Sequence, residues 1–223
     1  IQFYKMMRNK NLDDETKKYI CERATKLTKD EPVLARAHLY SYLYTKDNFI
    51  SKAALKFFQP YYFLREKFLD LKDKHDAYKA VKKFENSPKQ DAKEIDWAQE
   101  EINAQKMGEA ACSNNDFYVY NEYYTTYLEP NIESLKDSSK DVDLINSNEI
   151  KDYETFLKTC KNLGIKPYVV ITSTNGVYYD YIGIDQNKRL ALYDKLSEIA
   201  NQYGFDYLDL RDHEYDPYFF KDV

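Results

Sequence analysis

The stretch PYVVIT, Pro167–Thr172, decides the fold class of this chain. Its residues are apolar at consecutive rather than alternate positions, which is typical of a parallel strand buried between two helix layers. A second strand, FDYLDL, is predicted at Phe205–Leu210. Between them, apolar residues recur at helical spacing and Gly204 follows: Leu192, Leu196, Ile199 and Tyr203. The pattern predicts a β-α-β unit with parallel strands and a right-handed crossover.

Three regions are predicted around this unit. Residues 148–223 form the β-α-β portion of an α/β domain, starting with a helix capped by Ser147 or Asn148 and stopped by Gly164. Residues 114–147 form an aromatic helix, capped at Asn115 or Asp116, followed by a polar linker. Residues 1–113 are mostly helical.

Two further signals describe the helical region. Asp13 and Asp14 lead an apolar repeat, which favours a helix with acidic residues at its positive end. Pro32, Pro60 and Pro88 are expected near helix ends because proline interrupts a helix interior.

Composition excludes several classes of protein. The 223 residues contain 33 Lys and Arg against 38 Asp and Glu, a net charge of -5, which argues against a protein that tracks nucleic-acid phosphates. Cys21, Cys112 and Cys160 are far apart and odd in number, so they predict buried thiols rather than a zinc site or a disulfide framework. No apolar run approaches the roughly 20 residues that span a bilayer.

Ligands of open parallel sheets bind beyond the carboxyl ends of the strands, so the loops at 173–183 and 211–223 are the candidate site. Asn175 and Gly176 can donate to a substrate or oxyanion, or simply form a turn. Either Tyr178 or Tyr179 can contact a ligand while the other packs in the core.

The remaining candidates also have two interpretations. His213 can act in the site or cap a loop, and Asp222 alone is an exposed carboxylate. The sequence has no G-x-S-x-G elbow, and Ser173 has only His213 as a possible base, so no complete serine triad is visible.

Two of these loops resemble signature stretches of the DltD family: NGVYYDYIG at Asn175–Gly183 and HEYDPYFFKD at His213–Asp222. QFYKMMRNKNLDDETKK at Gln2–Lys18 and NNDFYVYNEYY at Asn114–Tyr124 also resemble that family. The resemblance spans nearly the whole chain, and it is strongest after Ser147.

The resemblance implies a three-layer α/β/α fold of the SGNH-hydrolase type, preceded by one N-terminal membrane helix. It implies a catalytic serine early in the chain and a D-x-x-H pair near the end. Asp222 matches the aspartate of that pair, while the histidine would follow Val223 and the serine would precede Ile1. We therefore expect this fragment to be inactive alone.

For the intact protein, the resemblance implies a membrane-anchored D-alanyl acyltransferase or esterase at the outer face of the cytoplasmic membrane of Gram-positive bacteria. Its partners would be D-alanyl carrier or relay proteins and teichoic acid, and it would need no metal or cofactor. Asp222 would be catalytic; Asn175, Gly176, Tyr179 and His213 would bind substrate. The alternative is a non-catalytic scaffold module that binds a glycan or a protein.

Overall fold

The computed structural model describes residues 2–86 and 94–223 of the chain, which divide into two compact units. The first contains residues 2–86 with 162–164, and the second contains 94–161 with 165–223. The division into three regions drawn from the sequence stays a prediction.

The first unit is helical. Its elements are α1 (Gln2–Arg8), α2 (Asp14–Leu27), a 3-10 turn (Pro32–Leu34), α3 (Ala35–Lys46) and α4 (Phe49–Glu85). Asp13 caps α2 by accepting a hydrogen bond from the Thr16 amide at 2.7 Å, as the acidic start of that segment predicts. Cys21 and Ser41 are fully buried. Burial raises the pKa of the Cys21 thiol to about 12.

Helix α4 runs for 37 residues. Asn48 and Ser51 form a reciprocal capping box at its start. Pro60 lies inside this helix, so its prediction as a helix boundary was wrong: one missing amide does not stop a helix that is otherwise continuous. Pro32 opens the 3-10 turn as predicted, and Pro88 lies outside the described residues.

The second unit begins with α5 (Trp97–Ala111). The predicted aromatic helix starts later than expected, with α6 (Asn121–Tyr123), and continues as a π-helix (Tyr124–Leu128), a 3-10 turn (Glu129–Asn131) and α7 (Ile132–Leu135). Asn115 does not cap a helix, because its side chain bonds both backbone groups of Val119 and closes a loop. The loop buries Phe117 and Val119 in a core cluster with Leu128.

The remaining elements follow the predicted order, except that a short helix, Gly176–Tyr181, forms within the segment 173–183, which was expected to be a loop. They are α8 (Asn148–Leu163), β1 (Val169–Ile171), α9 (Gly176–Tyr181), α10 (Gln186–Tyr203), β2 (Tyr207–Asp209) and a 3-10 turn (Arg211–His213). The strands pair in parallel, with Val169 opposite Tyr207 and Ile171 opposite Asp209, as predicted. Gly164 and Gly204 end α8 and α10 with φ of 71° and 76°.

The structure is therefore mixed α/β, with a small parallel sheet. One sheet face packs on helices: Val169 and Tyr207 contact a core of Ile150, Leu157, Ile199 and Ala200. The expected burial of both faces is not observed in the described part of the chain, because nothing there covers the other face. Val170 is 50% exposed and Leu208 44%.

All three cysteines are buried and free, as predicted. Within residues 2–86 and 94–223, no helix has the length and apolar character needed to cross a membrane.

Candidate functional site

The loops that follow the two strands meet at one edge of the sheet. The Leu210 amide donates to the carbonyl of Ile171 at 3.0 Å, which extends the strand pairing into the loops. Beyond it, the Gly176 amide donates to the carbonyl of Glu214 at 2.7 Å. The segment after β1 and the segment after β2 therefore form a single rim.

Gly176 permits this close approach. A β-carbon at this position would lie 2.8 Å from the ring of Tyr215 and 3.0 Å from the carbonyl oxygen of Glu214. Both distances are shorter than ordinary van der Waals contacts, so any larger residue would push the two loops apart. Gly176 is buried and contributes through its lack of a side chain and through its amide.

Asn175 is a buried helix cap. Its side-chain oxygen accepts from the Tyr178 amide at 3.0 Å, and its Nδ2 donates to the carbonyl of Phe117 at 2.8 Å. Only 3% of Asn175 is exposed. The structural interpretation of this residue therefore agrees with the structure, although it caps a helix rather than a simple turn, and its role as a substrate donor stays a prediction.

A buried arginine connects the two loops. Arg189 on α10 is 1% exposed, and its guanidinium donates to both carboxylate oxygens of Glu214, at 2.8 and 3.2 Å. Its Nη1 donates to Asp180 at 2.7 Å, and its Nη2 donates to the hydroxyl of Tyr215 at 2.8 Å. Burial disfavours the charged guanidinium, yet the hydrogen bonds and charges of Glu214 and Asp180 outweigh it and raise the pKa of Arg189.

Tyr193 completes the same network from the next turn of α10. Its hydroxyl donates to Glu214 Oε1 at 2.8 Å and accepts from the Thr174 amide at 3.0 Å. Burial is the largest cause of the raised pKa of this phenol. Arg189, Tyr193 and Glu214 together fix both loops to α10.

Sequence reasoning missed this network, although a signal is present. Arg189 precedes Tyr193 by four residues on the face of α10 that also buries Ser197 and Ala200. A charged residue on a buried helical face implies a buried partner of opposite charge. Glu214, within the HEYDPYFFKD stretch, is that partner.

His213 lies on the outer side of the rim. Its Nδ1 is 2.6 Å from Asp216 Oδ2, and its ring stacks on Phe219 with centroids 4.9 Å apart. The hydroxyl of Ser173 is buried and has no hydrogen-bond partner among the described residues, so it forms no serine–histidine pair with His213. Across residues 2–86 and 94–223, no group of three His, Cys, Asp or Glu side chains is placed to hold a metal.

Asp222 is exposed, and the residues on either side of it in the sequence are held in place by contacts. The Tyr120 amide donates to the carbonyl of Lys221 at 3.1 Å, and Val223 packs on the cluster of Phe117, Val119 and Leu128. Asn175 bonds to the same segment through Phe117. The structure thus brings the Asn175 loop and the end of the chain to one neighbourhood around residues 117–120.

The two tyrosines of the first loop differ. Tyr178 packs against the Phe117 cluster, with ring centroids 5.7 Å apart, so it is the one in the core. Tyr179 is half-buried, and its ring lies 5.9 Å from that of Tyr178. Contact of Tyr179 with a substrate stays a prediction.

A cavity of about 450 Å³ opens between α5 and the second loop. It is lined by Glu101, Ala104, Gln105, Asp216, Pro217, Tyr218 and Phe219. Tyr218 has a left-handed backbone with φ of 66°, which costs energy for a residue with a side chain. Its ring packs edge-on against that of Tyr118, also left-handed, and a β-carbon on Gly108 would lie 2.5 Å from its Cβ.

Comparison with known proteins gives the family. The sequence profile described as DltD protein matches residues 1–223. Protein DltD of Staphylococcus aureus is 27% identical over the whole chain and 54% of its own length, and Protein DltD of Bacillus subtilis is 34% identical over 60% of the chain and 34% of its own length. The chain thus spans about half the length of the Staphylococcus relative and less of the Bacillus one. Because the profile covers all 223 residues, the chain belongs to the DltD protein family.

Proposed function

We propose that this chain is part of a membrane-anchored acyltransferase or esterase that acts on D-alanyl esters or thioesters in the D-alanylation of teichoic acids. The observation that carries the proposal is that the two family-specific loops converge on one rim, with Gly176 bonded to Glu214. Ligand sites of parallel sheets lie at this edge.

In the proposed reaction, a serine outside these 223 residues attacks the D-alanyl carbonyl. A histidine, also outside them, takes the serine proton and later returns a proton to the leaving group. Asp222 accepts a hydrogen bond from that imidazole, which fixes its tautomer and stabilises its charged form. The exposed carboxylate of Asp222 is free to face an imidazole supplied by the intact protein.

The other rim residues shape the binding site in this proposal. Asn175 has both polar groups engaged, so it acts first by holding the loop and the Gly176 amide in place. Tyr179 and His213 contact the substrate from the rim. In this proposal the intact protein lies at the outer face of the cytoplasmic membrane, with D-alanyl carrier or relay proteins and teichoic acid as partners.

Asp222→Asn in the intact protein tests the catalytic role. Because an amide cannot orient and stabilise the imidazole as a carboxylate does, we expect D-alanyl esterase or transfer activity to fall by at least about 100-fold. The thermal midpoint should not change, since Asp222 is exposed. Asp206→Asn is the matched control, because Asp206 is also exposed but precedes β2 at the opposite end of the strand.

Two outcomes would contradict the proposal. Unchanged turnover in Asp222→Asn would remove this residue from the triad and favour the scaffold interpretation. The 223-residue chain itself should not react with a serine-directed fluorophosphonate. Labelling at any of its serines, detected by peptide mass spectrometry, would show a nucleophile within the chain.

A further inference from the structure

One side of helix α4 carries a stripe of exposed apolar side chains, with His75 standing between Leu71 and Tyr78. They recur at spacings of three, four and seven, so that they share one side of the helix: Ile50, Phe57, Tyr61, Leu64, Phe68, Leu71 and Tyr78. Their exposed fractions lie between 46% and 78%. At 1.5 Å per residue the stripe is about 42 Å long. An exposed apolar surface of this length marks an interaction site.

The stripe has a basic border on each side. At about 100° per residue, Arg65 and Lys72 lie along one border, and Lys67 and Lys74 lie along the other. All four side chains are exposed. The acidic residues Glu66 and Asp73 lie on the opposite face of the helix. Asp76 also lies on the Arg65 border and Lys52 lies on the back, so the borders are mainly basic and the back of the helix is mainly acidic.

The back of the helix is the side that packs on the rest of the first unit. Ser51 and Tyr62 are buried there, and the ring of Tyr62 lies 5.7 Å from that of Tyr40 on α3. Glu66 accepts a hydrogen bond from Arg8 of α1 at 2.8 Å. The stripe thus points away from α1 and α3.

The charge pattern restricts what can cover the stripe. A second copy of α4, parallel or antiparallel, would place lysine and arginine borders against lysine and arginine borders, and this like-charge contact is unfavourable. The central residues are mostly aromatic, whereas seams between paired helices favour Ile, Val and Leu. Phe and Leu flanked by Lys and Arg are typical of helices that lie in a membrane interface.

We propose that α4 is a docking surface for an anionic lipid bilayer, lying flat with its stripe among the acyl chains. The methylene stems of Arg65, Lys67, Lys72 and Lys74 extend along the apolar boundary, and their charges reach the anionic head groups. Glu66 and Asp73 face away from the lipid. This surface uses none of the residues of the loop rim, and the proposal does not depend on acyl transfer.

Vesicle cosedimentation of the 223-residue chain tests the proposal. One set of vesicles contains phosphatidylcholine alone, and the other contains equal parts of phosphatidylcholine and phosphatidylglycerol. We expect binding to the second set at low salt, weakened by added salt because screening reduces the head-group attraction. The double variant Lys72→Glu with Lys74→Glu should bind about 30-fold more weakly.

A second variant tests the apolar stripe. Phe68→Glu with Leu71→Glu should abolish binding while the far-UV circular dichroism spectrum stays unchanged, because both side chains are exposed. Matched controls are Lys26→Glu with Lys29→Glu for charge, and Phe156→Glu with Ile165→Glu for exposed apolar residues. Both controls should bind like the wild type.

The contrary outcomes are distinct. No cosedimentation of the wild-type chain with anionic vesicles would overturn the proposal and favour an acidic partner helix. If the double variant Lys72→Glu with Lys74→Glu bound as tightly as the wild type, the basic borders would not contribute to membrane binding and the proposal would also be overturned. A wild-type dimer in analytical ultracentrifugation that becomes monomeric in Phe68→Glu with Leu71→Glu would assign the stripe to a second copy.

Discussion

Helix α4 and the loop rim use their side chains in opposite ways. The rim buries charge: Arg189 and Glu214 are 1% and 3% exposed and bonded to each other. Helix α4 exposes apolar surface, with Phe57 78% exposed. A buried charge without a partner and an exposed apolar surface each cost free energy. In the rim, the hydrogen-bonded ion pair of Arg189 and Glu214 offsets that cost. The side chains on the apolar face of α4 stay largely exposed to water.

The largest predicted effect is on the free energy of unfolding, when the buried arginine of the rim is removed. Arg189→Met removes the partner of a buried carboxylate, so we expect the free energy of unfolding to fall by about 3–5 kcal/mol in urea denaturation. Arg36→Met, at an exposed position on α3, is the matched control and should change stability by less than about 0.5 kcal/mol. Adding Glu214→Gln to Arg189→Met should recover part of the loss. If Arg189→Met destabilised the protein no more than Arg36→Met does, the Glu214 carboxylate would be accessible to water rather than buried.

A smaller effect tests the close approach of the loops. Gly176→Ala places a β-carbon against Tyr215 and the Glu214 carbonyl, so we expect a loss of about 1–3 kcal/mol by thermal denaturation. In a Tyr215→Ala background the same substitution should cost less, because the ring contact is gone. If Gly176→Ala destabilised the protein equally in both backgrounds, the contact with the Glu214 backbone carbonyl alone would account for the loss.

The smallest effect concerns α4. Leu71→Ala removes a side chain that is 68% exposed, so the free energy of unfolding should change by less than about 0.5 kcal/mol. Leu157→Ala, fully buried in α8, should cost about 2–5 kcal/mol in the same assay. A large loss for Leu71→Ala would mean that the stripe is covered within the protein in solution.

The local signals in the sequence predicted α8, the two strands and the end of α10 well. The cap and the terminal glycine placed both ends of α8 almost to the residue, and Gly204 placed the end of α10, because these signals depend on the backbone chemistry of a few neighbours. The start of α10 at Gln186 was not predicted. The two strands appeared where their apolar runs stand, although each is shorter than its run. The convergence of the loops followed from parallel pairing.

Features set by contacts distant in sequence were not predicted. The late start at Asn121 depends on the burial of Phe117 and Val119, which a helical pattern does not reveal. The buried pair of Arg189 and Glu214 joins residues 25 positions apart. Exposure of Val170 depends on which layer lies above the sheet, and an apolar run cannot specify that layer.

The contact between Gly108 and Tyr218 gives α5 a direct influence on the second loop. The Tyr218 ring occupies the space that a side chain at position 108 would need, while its backbone is held in a left-handed state. The surface of α5 therefore constrains the conformation of the turn at residues 216–219. Substitutions on α5, which is distant in sequence, would alter the shape of the second loop without changing any residue in it.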